Sequence, residues 1–137
     1  MTKVVAYWSV TVLIAFETLV GGVADLVHGR SILVAGPPVA DVVTHLGYPL
    51  CFLRIIGFWK VLGAIALLVP GYPRLKEWAY AGIFFELSGA AASWVACEHN
   101  IGEAVVPMML ALLALVSWAL RPQHRLLGVL VPGLNAQ

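Results

Sequence analysis

Charged residues are scarce in this chain. Lysine, arginine, aspartate and glutamate make up 11% of its 137 residues, whereas hydrophobic residues make up 61%. A soluble globular domain carries about 25% charged residues, so this sequence has too little polar surface to form one. The formal net charge is +1 and no cluster of lysine and arginine is present, which argues against a nucleic-acid partner.

Motifs of the common soluble enzymes are also absent. The sequence contains no Walker-type glycine loop, no GxGxxG, no HExxH and no nucleophile elbow. Nucleotide, dinucleotide, zinc-protease and serine-hydrolase chemistry therefore have no motif support. No motif requires a cofactor.

Long hydrophobic runs are what the sequence does have. Four of them, at about residues 4–24, 48–69, 75–97 and 103–120, are close to the roughly 20 residues that a membrane-spanning helix needs. The sequence therefore predicts an all-α fold, an integral membrane four-helix bundle in which residues 1–137 form one transmembrane domain. The C-terminal tail has no strong period, and we place its LLGVLVPGL segment on the membrane surface.

The connection between the first two spans is long, and we expect it to carry structure of its own. Within residues 25–47, Pro37 and Pro38 are followed by VADVVTHLG. Proline is tolerated in the first turn of a helix, and the valines fall on one side of this one. The pattern predicts a short interfacial helix at about residues 38–46.

Two acid–histidine pairs lie in this connection. Asp25 and His28 are spaced i,i+3, and Asp41 and His45 are spaced i,i+4. Side chains at these spacings are neighbours on a helical surface. Each pair is either a solvated or capping contact or a catalytic dyad.

Two ionisable residues fall in the middle of the second and third spans. Lys60 lies nine residues before Val69, and Glu86 lies nine residues beyond Glu77, so both are about 14 Å from the same end of the bundle. A short turn joins these spans, which makes them antiparallel neighbours. We therefore expect a Lys60–Glu86 ion pair inside the membrane.

A second pair is expected between the first and second spans. Glu17 and Arg54 lie about 11 and 9 Å from the opposite end of the bundle. Buried ion pairs are weak stabilisers, whereas ionisable groups inside a membrane are by default candidates for function. These four residues are the candidate catalytic group.

Small residues surround the proposed site on both helices. They permit close helix contact, or they leave space for a narrow pocket beside the carboxylate. Ser93, seven residues after Glu86, shares its helix face. The small residues are Gly57, Gly63 and Ala64 on the second span, and Gly82, Gly89, Ala90 and Ser93 on the third.

The distribution of basic residues predicts the orientation in the membrane. One side carries Lys3, Arg74, Lys76, Arg121 and Arg125, and the opposite side carries only Arg30. Cytoplasmic loops are the ones enriched in lysine and arginine, so both termini are expected inside.

Cysteine and histidine on the outer side give weaker signals. Cys51 and Cys97 do not form a CxxC motif, and they are either a disulfide or dithiol pair or two small buried thiols. His28, His45 and His99 lie on separate segments, which is not the spacing of a metal or haem site, so we expect polar surface or mouth-lining roles and no metal.

The segment from Phe52 to Ser93, with its WKVLGAIALL and RLKEWAYAG runs, resembles the DoxX-like family of small bacterial membrane proteins. The flanking GVADLVHG and THLGYP are similar too, so the resemblance covers most of the chain. It implies a four-helix bundle in the bacterial inner membrane and, through relatives named after thiosulfate:quinone oxidoreductase subunits, quinone-linked redox work. The chain matches the family pattern at Glu17, Arg54, Lys60 and Glu86. Trp94 stands where the pattern often has histidine, which argues against a histidine-based relay.

Two functions are consistent with these features. In the first, the bundle encloses an apolar pocket that binds a lipophilic molecule and carries out acid–base chemistry on it, such as isomerisation, cyclisation or epoxide opening. In the second, the protein is a non-catalytic or quinone-linked subunit in which the charges set helix register. We expect a homodimer, because glycine-rich small bundles often self-associate. The candidate catalytic residues are Lys60, Glu86, Glu17 and Arg54, and the candidate ligand-binding residues are Trp59, Ser93, His45, Asp41, Asp25 and His28.

Overall fold

The computed structural model describes residues 2–29 and 37–121. Within these ranges the chain is helical and contains no strand, which confirms the predicted all-α fold and the short helix between the first two long ones. Arg30, Arg125 and the LLGVLVPGL segment lie outside the described residues. The helices are α1 Thr2–Val27, α2 Val39–His45, α3 Cys51–Leu68, α4 Pro73–Glu98 and α5 Ile101–Ala119.

Local sequence explains several helix ends. Pro73 occupies the first turn of α4, where its missing N–H costs no intrahelical hydrogen bond. His99 ends α4 in the left-handed conformation, with φ of 53°. Asn100 caps α5, because its side-chain oxygen accepts a hydrogen bond from the backbone N–H of Glu103 at 3.3 Å.

The four long helices form a ring in the order α1, α3, α4, α5, in which each helix packs on the next and α5 packs on α1. α3 and α4 are joined by residues 69–72 alone, where Gly71 adopts φ of 89°, a conformation that glycine reaches without strain. Contacts of Gly22 with Val61 and of Leu26 with Gly57 show that α1 and α3 are antiparallel.

All four long helices contribute to the hydrophobic core. Its residues are mostly small or aliphatic, which allows the helices to approach closely. The core consists of Ile14, Ala15, Ala66, Leu67, Ala79, Tyr80, Ile83, Leu87, Ala111 and Ala114.

Three of the helices are long and apolar enough to cross a membrane: Lys3–Val27, Cys51–Leu68 and Ile101–Ala119. α4 is long enough, at 26 residues or about 39 Å, but it contains five charged residues that lower its hydropathy. The outer surface of the bundle is rich in large apolar side chains such as Phe16, Phe58, Trp78 and Met109. A surface of this kind suits lipid rather than water.

Two helix boundaries differ from the prediction in a way that matters for the site. α1 continues to Val27 instead of ending at about residue 24, so Asp25 lies in the helix and not in the connection. α3 begins at Cys51, three residues after the predicted start of the second span. Both differences change which residues of α1 and α3 lie opposite one another.

Candidate functional site

An ion cluster lies between α1, α3 and α4. Lys60 Nζ on α3 is 3.0 Å from Asp25 Oδ2 on α1 and 3.2 Å from Glu86 Oε1 on α4. The side chains of Lys60, Asp25 and Glu86 are 14%, 7% and 20% exposed, so the three groups are largely removed from solvent. The predicted Lys60–Glu86 pair is confirmed, and Asp25 is a second partner of Lys60 that the sequence did not indicate.

Glycines bring α1 and α3 together at this cluster. A Cβ atom on Gly22 would lie 2.8 Å from Lys60 Cβ, and one on Gly57 would lie 2.7 Å from the carbonyl oxygen of Gly22. Real Cβ atoms do not approach other atoms so closely, which means that only glycine fits at either position. The close contact holds the aliphatic part of the Lys60 side chain against α1, where its ammonium group donates a hydrogen bond to Asp25.

Glu17 completes the cluster on the α1 side. It lies two helical turns before Asp25 and shares a face with it, with Gly21 between them. A Cβ atom on Gly21 would be 3.3 Å from Lys60 Nζ and 3.7 Å from Glu17 Oε1, so both groups border the same point. Glu17 Oε2 is buried and has no hydrogen-bond partner among the residues that the structure describes. The cluster thus holds one ammonium and three carboxyl groups.

An apolar groove of about 530 Å³ runs between α3 and α4 and ends at the ion cluster. Lys60 and Glu86 are the charged residues in its lining, whereas Asp25 and Glu17 lie behind Lys60 and do not line it. Trp59 and Trp78, 64% and 80% exposed, stand on opposite helices beside it. The lining residues are Ile56, Trp59, Lys60, Leu62, Gly63, Ile65, Ala66, Val69, Leu75, Trp78, Ala79, Gly82, Ile83 and Glu86.

Comparison with known protein families identifies the family of this chain. The DoxX-like family matches it over residues 9–117, which is 109 of the 137 residues and includes the ion cluster. The chain belongs to the DoxX-like family. It is therefore a membrane protein, in agreement with its three apolar helices. No curated protein and no solved structure matches the chain.

Arg54 of this DoxX-like protein does not pair with Glu17, so that prediction was wrong. Gly22 packs between Gly57 and Val61, which places Arg54 opposite the end of α1, about 15 Å along the helix from Glu17. Arg54 is exposed and does not line the groove. The structure leaves it outside the ion cluster.

The two acid–histidine pairs of the connection do not appear as side-chain salt bridges among the described residues. The Asp25 carboxylate binds Lys60, while His28 ends α1 in the left-handed conformation, with φ of 52°. His45 Nε2 lies 3.3 Å from Glu98 Oε1 on α4 instead of pairing with Asp41. Neither histidine lines the groove.

Of the remaining predicted ligand residues, one lines the groove and one does not. Trp59 lines the groove, but Ser93 does not: its Oγ lies 2.8 Å from the Tyr48 hydroxyl and donates to the carbonyl of Gly89. Cys51 and Cys97 are exposed free thiols. Within the described residues, no group of three or more His, Cys, Asp or Glu side chains is arranged to hold a metal ion.

A second set of buried polar groups lies near the α3–α4 turn. Lys76, one of the basic residues on which the predicted membrane orientation was based, is 1% exposed, and its Nζ donates to the carbonyls of Ala66, Leu67 and Val69 at the end of α3. A cation at the carbonyl end of a helix is favourable. Arg121, another of these basic residues, is buried and pairs with Glu77 at 2.6 Å. These contacts fix the end of α3 to α4 and α4 to α5.

A chain of hydroxyl groups extends this set into the core. Ser117 Oγ on α5 lies 2.7 Å from both Thr11 Oγ1 on α1 and the Tyr80 hydroxyl on α4. Thr11 also donates to the carbonyl of Tyr7. These groups are satisfied by one another and lie outside the groove lining, so they hold three helices together without forming part of the candidate site.

Proposed function

We propose that this DoxX-like protein binds a lipophilic small molecule in the α3–α4 groove and carries out acid–base chemistry on it at Lys60 and Glu86. One observation carries the proposal. The groove is apolar along its length and polar at one end, where an ammonium and a carboxyl group face into it. This arrangement is typical of ligand sites, in which apolar walls supply affinity and a few polar groups set orientation.

The composition of the cluster suits proton transfer. The cluster has three carboxyl groups and one ammonium, so it contains more acidic groups than its one cation can pair with. It can therefore hold a carboxylic acid and a carboxylate at the same time, as acid–base catalysis requires. Glu86, on the groove side, is the group that gives or takes the proton. Lys60 donates a hydrogen bond to the reacting oxygen, and Asp25 holds Lys60 in place.

Isomerisation, cyclisation and epoxide opening are the reaction classes that fit this site. Each is started by proton transfer to or from an otherwise apolar molecule, and none needs a cofactor. A dry groove also strengthens the electrostatic interactions within it. Substrate enters from the lipid, because the helices that border the groove carry exposed apolar side chains on both sides.

We propose the bacterial inner membrane as the location, with α4 spanning it beside the three apolar helices. The end of the bundle that carries Lys3 and Arg74, both exposed, then faces the cytoplasm. Lys76 and Arg121 do not contribute to this orientation signal, because both are buried.

Two glycines of α4 allow a direct test. Gly82 and Gly89 are both exposed, and a Cβ atom on either would meet nothing within 4 Å, but only Gly82 lines the groove. Gly82→Leu should fill the groove, and Gly89→Leu is the matched control. Protein purified in lipid nanodiscs would be extracted with solvent, and the extract analysed by mass spectrometry.

We expect a lipophile that co-purifies with wild type and Gly89→Leu and is lost from Gly82→Leu. The same molecule should be lost or left unconverted in Glu86→Gln. If wild type and Gly82→Leu carry the same molecules in the same amounts, the groove is not a ligand site. The charges would then serve helix register, as in a non-catalytic or quinone-linked subunit.

A further inference from the structure

We infer that the groove selects an uncharged lipophilic alcohol and that it discriminates against acids and amines. This inference rests on the proposed function and adds the class of ligand. The pair of opposite charges at the end of the groove carries it.

The end of the groove presents both signs of charge. Lys60 and Glu86 both line it, with their charged atoms 3.2 Å apart. An anionic head group placed there meets the Glu86 carboxylate, and a cationic one meets the Lys60 ammonium. An anionic and a cationic head group therefore each meet a like charge, in a site where water does little to screen the repulsion.

A hydroxyl group fits the charged end of the groove better than an anionic or a cationic head group does. It is both a donor and an acceptor, so it can donate to Glu86 while it accepts from Lys60. The ammonium has three N–H donors, of which one donates to Asp25 at 3.0 Å, and Glu86 Oε1 lies 3.2 Å from the same nitrogen, so a hydroxyl placed there is within reach of both groups. A ketone, quinone or ether only accepts, and so would use Lys60 alone.

The length of the groove leaves room for a long apolar chain. Along α3 its lining runs from Ile56 to Val69, which is 13 residues or about 20 Å. A single extended chain advances roughly 1.2 Å per atom, so a chain of about 12 atoms fits within that length.

The test uses a series of probes that share one branched chain. Farnesol, its methyl ether, farnesoic acid and farnesylamine would be titrated against the full chain in nanodiscs, with bound ligand counted by native mass spectrometry. The variants are Gly82→Leu, Gly89→Leu and Glu86→Leu, the last of which removes the proposed acceptor and leaves the Lys60–Asp25 pair intact.

Farnesol should bind about tenfold more tightly than the ether, which is the ratio expected for one hydrogen bond to a charged group. It should also bind more tightly than the acid and the amine. In Glu86→Leu the alcohol and the ether should bind equally, and Gly82→Leu should bind none of the probes while Gly89→Leu binds as wild type does.

The outcomes distinguish a failure of this inference from a failure of the proposed function. If the acid or the amine binds most tightly, or if Glu86→Leu keeps the preference for the alcohol, the head-group assignment is overturned while the groove stays a ligand site. If no probe binds wild type, or if Gly82→Leu binds as wild type does, the proposed function fails and this inference with it.

Discussion

Replacing Lys60 with methionine removes the cation at which Asp25 and Glu86 meet. The two carboxylates are not equivalent in the structure. Asp25 is 7% exposed and 3.0 Å from the ammonium, whereas Glu86 is 20% exposed, 3.2 Å away and borders the groove. We therefore expect Asp25 to be the partner that stabilises the fold, and Glu86 to be the partner that serves the ligand.

The magnitude follows from the burial of these groups. Removing one partner of a buried ion pair costs about 3–5 kcal/mol, because a charge is left without compensation. For a chain of this length, such a loss lowers the melting temperature by about 10–20 °C. Adding Asp25→Asn to Lys60→Met removes the more buried uncompensated carboxylate and should recover more than half of the loss. Adding Glu86→Gln should recover less, because Glu86 is more exposed.

Thermal unfolding in a mild detergent, followed by circular dichroism, measures all of these variants. The expected order of stability is wild type, then Lys60→Met Asp25→Asn, then Lys60→Met Glu86→Gln, then Lys60→Met. If the double variant with Glu86→Gln were as stable as the one with Asp25→Asn, the assignment of separate structural and ligand-facing roles would be refuted.

Four further substitutions test the packing by the same unfolding assay. Gly22→Ala should cost about 1–3 kcal/mol, because its Cβ would lie 2.8 Å from that of Lys60, whereas Gly82→Ala should gain up to about 1 kcal/mol. Ser117→Ala should cost about 1–3 kcal/mol, since it removes the hydroxyl that links three helices. Lys76→Met should cost about 1.5–3 kcal/mol by removing the donor at the end of α3. Stability equal to wild type would contradict each expectation.

The sequence predicted the Lys60–Glu86 pair because a short turn fixes the register of the two helices that carry it. Only residues 69–72 separate α3 from α4, so counting residues from the turn gives the depth of each side chain. The same counting failed for Arg54 and Glu17. A long connection joins their helices, and the depth had to be taken from predicted helix ends that were each wrong by three residues.

The errors in the predicted helix ends also kept Asp25 out of the predicted ion cluster. Nothing in the composition of residues 22–29 marks the end of α1, and the pair of glycines at 21 and 22 suggests that the helix ends before Asp25. The signal that was available is periodic: Glu17, Gly21 and Asp25 recur every four residues and therefore share one face. Two acids and a small residue on one face of an apolar helix require a buried cation opposite them, and Lys60 is that cation.

Small residues have two opposite uses in this bundle, and their spacing in the sequence does not separate them. Gly22 and Gly57 lie where two backbones meet, so that any side chain would clash. Gly82 lines the groove, and a Cβ atom there would meet nothing within 4 Å, so that the absence of a side chain leaves room for the groove. The tight contact holds Lys60 still, and the open one gives a molecule access to it. A binding site with a fixed charge needs both, which is why we expect a side chain at residue 22 to affect stability and one at residue 82 to affect binding.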